Sequence, residues 1–269
     1  GTLDVHGSST VEPLSSLVSE RLKEDNPGFG FTVGGEGTGD GFAQFFCPNV
    51  SDVSDASRPI KDSEAEACAE NGVTWTELKI GYDGIVVANA KSAPAMQLTR
   101  KELFLALAKD VPDPNGGKKL VPNPYKTWKD VNPSLPNNKI EVLGPPPTSG
   151  TRDAFVELAM ESGCEAFDSI KALKKSDSKA YKKVCHTVRE DGGYIEAGEN
   201  DNLIVQKLEA NPNALGIFGF SFLDQNMDKI QGSYVDGVQP TFEAIADGKY
   251  PVSRPLFFYV KKAHVGVIP

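Results

Sequence analysis

Long apolar runs are missing from this sequence. Nothing in its 269 residues approaches the roughly 20 apolar residues that a helix needs to cross a bilayer. The first residues, GTLDVHGSST, also lack the basic segment and apolar run of a signal peptide. If the protein is exported, we expect its signal to have been removed already.

Basic charge is scarce as well. The chain has 28 Lys and Arg residues against 37 Asp and Glu residues, a net charge of −9. A nucleic-acid surface needs concentrated basic charge, so we expect no nucleic-acid partner. A small anion is not excluded, because oriented amides and one or two arginines dominate inside a closed site.

Residues typical of metal and nucleophile chemistry are few. None of the three histidines stands at zinc-ligand spacing, and no CxxC, GxxxxGK[ST] or GxSxG motif is present. The glycines of GGEGTGDG have the wrong spacing for a dinucleotide loop. We therefore expect no metal, no cofactor and no catalytic residue.

The four cysteines form two pairs with equal spacing. Cys47 and Cys68 are 21 residues apart, as are Cys164 and Cys185. Four cysteines allow three pairings, and the equal spacing favours the two local ones, 47–68 and 164–185. The alternative is four reduced thiols in a cytosolic protein; the even number favours an oxidising compartment.

Strand-like segments alternate with helical ones along the chain, which indicates an α/β fold with parallel or mixed sheets. The first predicted helix, VEPLSSLVSERLKED, has apolar residues at three- and four-residue spacing. These residues predict one buried face, formed by Val11, Leu14, Leu17, Val18 and Leu22.

Four loops combine glycine with hydroxyl or charged residues. They are GSST (7–10), GEGTGDG (35–41), DASRP (55–59) and TSGTRD (148–153). Each alone is typical of an ordinary helix cap or turn. Together, in an α/β chain whose ligands bind at strand ends, they indicate a site for a tetrahedral oxyanion.

These segments resemble a known family. DVHGSSTVEPL, GEGTGDGFAQFFC, SDASRPIK, YDGIVVANAK, GPPPTSGTRDAF and GENDNLIVQKL, in this order, are similar to the phosphate-binding proteins of bacterial phosphate ABC transporters, the PstS family. The resemblance implies a two-lobed periplasmic binding protein of type II. Each lobe would be a mixed sheet flanked by helices, with two hinge strands between the lobes. We expect lobe I to comprise residues 1–86 with 226–269, and lobe II residues 87–225, with 85–88 and 255–260 as candidate chain crossings.

The resemblance also implies a ligand set for phosphate: Ser9, Thr10, Val11, Thr38, Ser57, Arg58, Ser149, Gly150, Thr151 and Arg152. This chain departs from some members of the family, which have an aspartate where Arg58 stands and an arginine in place of the prolines at 145–147. An acceptor for the phosphate proton would then come from Asp40, Asp83 or Asp153, with Asp40 ranked first because it interrupts the glycine loop.

The expected function is capture of inorganic phosphate between two lobes, outside the cytoplasm, by a monomer. The loaded protein would dock on the membrane permease of an ABC transporter, and we expect a periplasmic location and no enzymatic activity. Two alternatives stay open. One is a binding protein for another tetrahedral oxyanion or a phosphonate, and the other is a hydrolase of phosphate esters with a base near Ser9 or Ser149.

Overall fold

The computed structural model describes residues 1–117, 119–198 and 201–267. Its strands are β1 (Thr2–Gly7), β2 (Gly30–Gly34), β3 (Val53–Ala56), β4 (Trp75–Ala90), β5 (Gln97–Leu98), β6 (Asp110–Pro112), β7 (Leu120–Pro122), β8 (Val142–Gly144), β9 (Tyr194–Glu196), β10 (Leu215–Gly219), β11 (Ile230–Gly232), β12 (Tyr234–Val235) and β13 (Ser253–Lys261).

The α-helices are α1 (Glu12–Asp25), α2 (Thr38–Asp40), α3 (Asp62–Glu70), α4 (Arg100–Leu107), α5 (Trp128–Val131), α6 (Gly150–Phe155), α7 (Glu161–Cys164), α8 (Asp168–Ser176), α9 (Ser178–His186), α10 (Asp201–Ala210), α11 (Phe220–Gln225) and α12 (Phe242–Ala246). Segments Gly41–Phe46 and Val156–Met160 are π-helical, and Lys262–His264 is a 3-10 turn. None of the described helices is long and apolar enough to cross a membrane.

The chain divides into two compact units. The first unit consists of Gly1–Asp83 with Arg254–Pro269, and the second of Gly84–Ser253. This division differs from the predicted one, which placed residues 226–253 in the first lobe. The reason is strand pairing: β11 pairs with residues 88–90 of β4, and β12 pairs with β5, so residues 226–253 pack within the second unit.

The first unit contains a mixed sheet with strand order β2-β1-β3-β13-β4. Strand β1 runs parallel to both β2 and β3, whereas β13 is antiparallel to β3. Consequently the carboxyl ends of β1, β2 and β3 lie at the same edge of the sheet. The α/β prediction is confirmed for this unit.

Aromatic residues fill one core of the first unit. Phe42 and Phe46 pack with Phe257 and Tyr259 from β13, and the Cys47–Cys68 disulfide lies in the same buried cluster. The predicted local pairing of these two cysteines is the pairing that the structure has. The disulfide therefore joins the end of the π-helical turn to α3 within the core.

The apolar face predicted for α1 is largely exposed. Val11 is buried, but the exposed fractions of its four partners are 42–53%: Leu14, Leu17, Val18 and Leu22. The buried residue of α1 itself is Ser15, which is polar. The periodicity identified residues that share a face, but this face is not the one that packs on the sheet of the first unit.

The second unit contains a sheet with strand order β4-β10-β8-β9. Strands β8, β9 and β10 are parallel to one another, and β10 is antiparallel to β4. One of its core clusters is formed by aliphatic residues and Phe218, with contributions from α10 and α11. The second disulfide, Cys164–Cys185, joins α7 to α9 and again has the predicted pairing.

Candidate functional site

Three of the four predicted loops meet at one edge of the first unit. They are the GSST turn (residues 7–10) after β1, the glycine loop (35–41) after β2, and the DASRP turn (55–59) at the end of β3. The Gly37 amide donates to the Gly7 carbonyl oxygen at 2.7 Å, and a Cβ on Gly35 would lie 3.3 Å from the Cα of Ser9. The parallel pairing of the strands thus brings the three motifs into contact.

The GSST turn leaves the Ser9 and Thr10 hydroxyls available, because Ser8 accepts from the neighbouring backbone amides. The Ser8 hydroxyl oxygen accepts from the Thr10 amide at 3.2 Å, and the Ser8 carbonyl oxygen accepts from the Val11 amide at 3.0 Å. Val11 is fully buried, and its amide is already used inside the protein. Of the amides in residues 8–11, that of Ser9 is the one without a backbone or side-chain acceptor among the described residues.

Thr38 and Ser57 lie side by side. The Ser57 amide donates to Thr38 Oγ1 at 3.1 Å, and the two hydroxyl oxygens are 3.2 Å apart. Ser57 is 7% exposed. Because their hydroxyl protons can reorient, this pair can present donors at the loop edge.

Arg58 is held by a carboxylate within the first unit. Its two terminal nitrogens bond the two oxygens of Glu64 at 2.9 and 2.7 Å. Burial works against ionisation of Glu64, but the hydrogen bonds from Arg58 and Lys61 outweigh it and lower the pKa of this carboxyl. The sequence predicted that the positive charge of Arg58 binds the anion, but part of this charge is balanced by Glu64.

A fully buried carboxyl, Asp55, supports the same loops. Its carbonyl oxygen accepts from the Ser8 amide at 2.9 Å, and its Oδ2 accepts from the Ser15 hydroxyl of α1 at 2.7 Å. Burial is the main cause that raises its pKa from 3.8 to about 6; the Ser15 hydrogen bond and His6 oppose the rise, and Glu12 adds to it. Sequence reasoning missed Asp55, because DASRP read as an exposed turn.

Besides the two arginines predicted from the sequence, Arg254 of β13 lies near the site and contacts the GSST turn. Arg254 Nη2 donates to Thr10 Oγ1 at 2.6 Å, and Arg254 Nε lies 3.8 Å from Asp83 Oδ2. Arg254 is 7% exposed. Sequence reasoning missed it as well, since 244 residues separate it from Thr10 and its neighbours predict only a strand.

In the second unit the TSGTR segment (residues 148–152) follows the carboxyl end of β8. Residues 150–164 form continuous helix, with Ser149 at its N-cap position. Ser149 is 7% exposed, and within the described residues its side chain makes no capping hydrogen bond. The hydroxyl is thus not used in the way that an ordinary N-cap uses it.

Arg152 is held by the Pro145 carbonyl oxygen and by an aromatic ring. Its guanidinium carbon lies 4.4 Å from the centroid of the Tyr194 ring, and Nη1 donates to the Pro145 carbonyl oxygen at 3.4 Å. The Tyr194 hydroxyl donates to the same carbonyl oxygen at 2.7 Å. Stacking and hydrogen bonding therefore hold the cation at the edge where β8 and β9 end.

Comparison with known proteins agrees with these motifs. The PBP superfamily domain model matches residues 1–269. "Phosphate-binding protein PstS" of Staphylococcus haemolyticus is 34% identical over 262 residues, which cover 95% of this chain and 69% of the relative. The chain belongs to the PstS family. "Protein SphX" of Synechococcus elongatus is 33% identical over 270 residues, covering 96% of this chain and 69% of the relative.

Solved structures agree with this assignment. A crystal structure of a possible phosphate binding protein from Planctomyces limnophilus has a TM-score of 0.76 and 30% identity, covering 98% of this chain and 83% of the other. PstS from Borrelia burgdorferi, at 18% identity, has a TM-score of 0.67 over 99% of this chain and 89% of its own, and shares the fold. The predicted membership of the PstS family and the predicted fold class are confirmed.

The residues expected from the PstS family fall into two groups, one in each unit. The first unit holds Ser9, Thr10, Val11, Thr38, Ser57 and Arg58, and the second holds Ser149, Gly150, Thr151 and Arg152. Their role as ligands stays a prediction. In the GENDNL motif, which follows β9, Glu199 and Asn200 lie outside the described residues.

The three candidate proton acceptors differ in their surroundings. Asp40 is exposed, and its Oδ1 accepts from Gln44 at 3.1 Å. Asp153 is exposed on the first turn of α6. Asp83 lies beside Arg254, and burial raises the pKa of its carboxyl although Arg254 acts in the opposite direction.

Each of the three histidines pairs with a carboxylate. His6 Nδ1 lies 2.8 Å from Glu36, His186 Nε2 lies 2.7 Å from Glu161, and His264 Nδ1 lies 2.6 Å from Asp52. None of the described histidines is hydrogen-bonded to a serine. In the described ranges, no group of three or more His, Cys, Asp and Glu side chains is arranged to hold a metal ion.

Proposed function

We propose that this chain binds inorganic phosphate and delivers it to the permease of an ABC transporter. One observation carries the proposal. In each unit a helix starts after a parallel strand, and a hydroxyl that does not cap this helix lies near an arginine. These residues are Thr10 with Arg254 in the first unit and Ser149 with Arg152 in the second. Membership of the PstS family supports the same function.

In the first unit, the donors would be the Ser9 amide and the hydroxyls of Ser9, Thr10, Thr38 and Ser57. Free amides at helix starts attract anions, because the helix dipole and unsatisfied N–H groups both favour negative charge. The Val11 amide contributes less than the family pattern implies, since the Ser8 carbonyl oxygen already accepts from it.

In the second unit, the donors would be the Ser149 and Thr151 hydroxyls, the amides of Gly150 and Thr151, and the Arg152 guanidinium. The Asp153 amide bonds the Ser149 carbonyl oxygen at 3.1 Å, so the helix is already formed at this point without the Ser149 side chain. Because Tyr194 and Pro145 hold Arg152 in place, its remaining N–H groups are oriented before any ligand arrives.

The setting of the proposed function follows from the family. We propose a location outside the cytoplasm, in the periplasm, with the protein acting as a monomer that docks on a membrane permease. The two disulfides fit an oxidising compartment. Under this proposal the chain is a receptor without catalytic activity.

Two rivals make different predictions. Another oxyanion or a phosphonate would use the same hydroxyls and amides, so selectivity separates it from phosphate. A phosphate-ester hydrolase would need a base beside Ser9 or Ser149, and the three histidines bond carboxylates instead. Turnover of a chromogenic phosphate ester would favour this second rival.

Titration calorimetry tests the proposal. The protein is titrated with phosphate, sulfate, phosphite and arsenate at a fixed pH and salt concentration. We expect a phosphate dissociation constant in the micromolar range or tighter, about −8 kcal/mol or better. No heat with phosphate would refute the proposal, and equal affinity for sulfate would favour a general oxyanion receptor.

Arg152→Ala tests the contribution of the second unit. A hydrogen bond to a charged group contributes roughly 1.5–3 kcal/mol, so we expect affinity to fall about tenfold or more. Arg21→Ala is the matched control, because Arg21 lies on the exposed surface of α1 and pairs with Glu24. Unchanged affinity in Arg152→Ala would mean that TSGTR is only a helix start.

A further inference from the structure

Arg254 and Thr10 form a partly buried contact within the first unit. Arg254 lies near the start of β13, and its Nη2 donates to Thr10 Oγ1 at 2.6 Å. The Thr10 amide is separately bonded to the Ser8 hydroxyl oxygen. The side chain of Thr10 is therefore fixed by a residue that the family resemblance did not single out.

Asp83 balances the charge of this arginine. Its Oδ2 lies 3.8 Å from Arg254 Nε, and the exposed fractions of the two side chains are 19% and 8%. A buried guanidinium needs such a counter-charge, because an unpaired charge away from water is costly. The pair thus keeps an arginine stably inside the first unit, beside the GSST turn.

The chemistry of the two groups fixes the role of the hydroxyl. A guanidinium only donates hydrogen bonds, whereas a threonine hydroxyl has one proton and oxygen lone pairs. Since Arg254 occupies a lone pair of Thr10 Oγ1, the hydroxyl proton points away from Arg254. A charged donor also polarises the hydroxyl and strengthens it as a donor.

We propose that Arg254 is a positioning residue of the phosphate site, which commits the Thr10 hydroxyl to donating its proton to an ionised phosphate oxygen. This inference rests on the proposed function, since it specifies how one of its ligands is oriented. It assigns to Asp83 the task of holding Arg254 rather than that of accepting a phosphate proton. The contact between Thr10 and the anion is then strong only when Arg254 is in place.

A double-mutant cycle on the full chain tests the inference, with inorganic phosphate as the probe. Calorimetry compares wild type, Thr10→Val, Arg254→Met and the double variant. We expect each single change to weaken phosphate binding about tenfold, and the double variant to bind about as well as the weaker single variant. We expect Arg254→Lys, which keeps a charged donor, to retain most of the affinity. A merely structural role of Arg254 would instead give the same loss of affinity with Thr10 and with Thr10→Val.

Arg100→Met is the matched control. Arg100 also pairs with an aspartate, Asp236, but it lies in the second unit and is more exposed. We expect phosphate affinity in this variant to equal that of wild type. Losses that multiply in the double variant, or an equal loss in Arg100→Met, would overturn the role of Arg254.

If Arg254→Met does not fold, Arg254→Gln, which carries no charge, takes its place. It is then measured with Thr10 present and with Thr10→Val. The same change in affinity in both backgrounds would overturn the inference, and a change confined to the Thr10 background supports it. Absence of phosphate binding in wild type is a separate result, which refutes the proposed function itself.

Discussion

Asp55→Asn is expected to alter how stability depends on pH. Asp55 is fully buried, and desolvation raises its pKa from 3.8 to about 6. A carboxyl with a raised pKa binds protons more tightly in the folded chain than in the unfolded one. Between about pH 4 and pH 6, therefore, the free energy of unfolding that depends on Asp55 falls as pH rises.

The size of the effect follows from the shift. A pKa raised from 3.8 to about 6 corresponds to about 3 kcal/mol between the protonated and ionised forms. Asparagine keeps an oxygen that can accept from the Ser15 hydroxyl, now 2.7 Å from Oδ2, but it carries no charge. We expect Asp55→Asn to match wild type near pH 4 and to be more stable by up to about 3 kcal/mol above pH 7.

Urea unfolding followed by circular dichroism at pH 4, 5, 6 and 7.5 measures this difference. Titration of the Asp55 carboxyl carbon by NMR gives the pKa directly. Asp25→Asn, at the exposed end of α1, is the matched control, and its difference from wild type should not follow the same curve. A difference for Asp55→Asn that is independent of pH, or largest at pH 4, would refute the reasoning.

Three further predictions concern other parts of the fold. Gly7→Ala should destabilise the chain by at least roughly 2 kcal/mol, since φ is +152° and a Cβ would lie 2.0 Å from the Asp55 carbonyl oxygen. Gly28→Ala is the control and should be tolerated, because a Cβ at this position meets nothing within 4 Å. The hydrogen bond with His186 is the main cause that lowers the pKa of Glu161 from 4.5 to about 2, although burial acts in the opposite direction. Glu161→Gln should therefore reduce the free energy of unfolding by up to about 3 kcal/mol at neutral pH and leave it unchanged near pH 2. Replacing Cys164 and Cys185 by serine should cost about 3 kcal/mol of stability, since the disulfide closes a loop of 21 residues.

Urea unfolding measures all three. Equal stability of the two alanine variants would contradict the geometry at Gly7. A loss in Glu161→Gln that persists at pH 2 would show that packing, rather than the ionised carboxylate, stabilises the contact. A serine pair as stable as wild type would show that the second disulfide adds little to the fold.

The motifs themselves were predictable because each combines local residues with a strand end. GSST, GTGDG and ASR each follow a strand of the first unit, and parallel pairing brings such ends together. The cysteine pairs were also predictable, since each closes a short loop of equal length. Local patterns and general strand topology were sufficient for these features.

Long-range contacts were not predictable in this way. The contact between Arg254 and Thr10 joins residues at opposite ends of the chain, and no local pattern links them. The buried Asp55 carboxyl is hydrogen-bonded to Ser15 of α1, 40 residues away. The prediction that the apolar face of α1 is buried was wrong for a related reason. Periodicity places residues on one face without specifying what packs against it.

The contact between Gly7 and Gly41 limits how this part of the protein can evolve. A Cβ on Gly7 would meet the Asp55 backbone, and a Cβ on Gly41 would lie 2.5 Å from the Cα of Gly7. Both obstacles are main-chain atoms, which no substitution removes. A compensating change elsewhere can enlarge a pocket between side chains, but it cannot relieve this clash, so second-site suppressors of Gly7→Ala should act by stabilising the fold elsewhere.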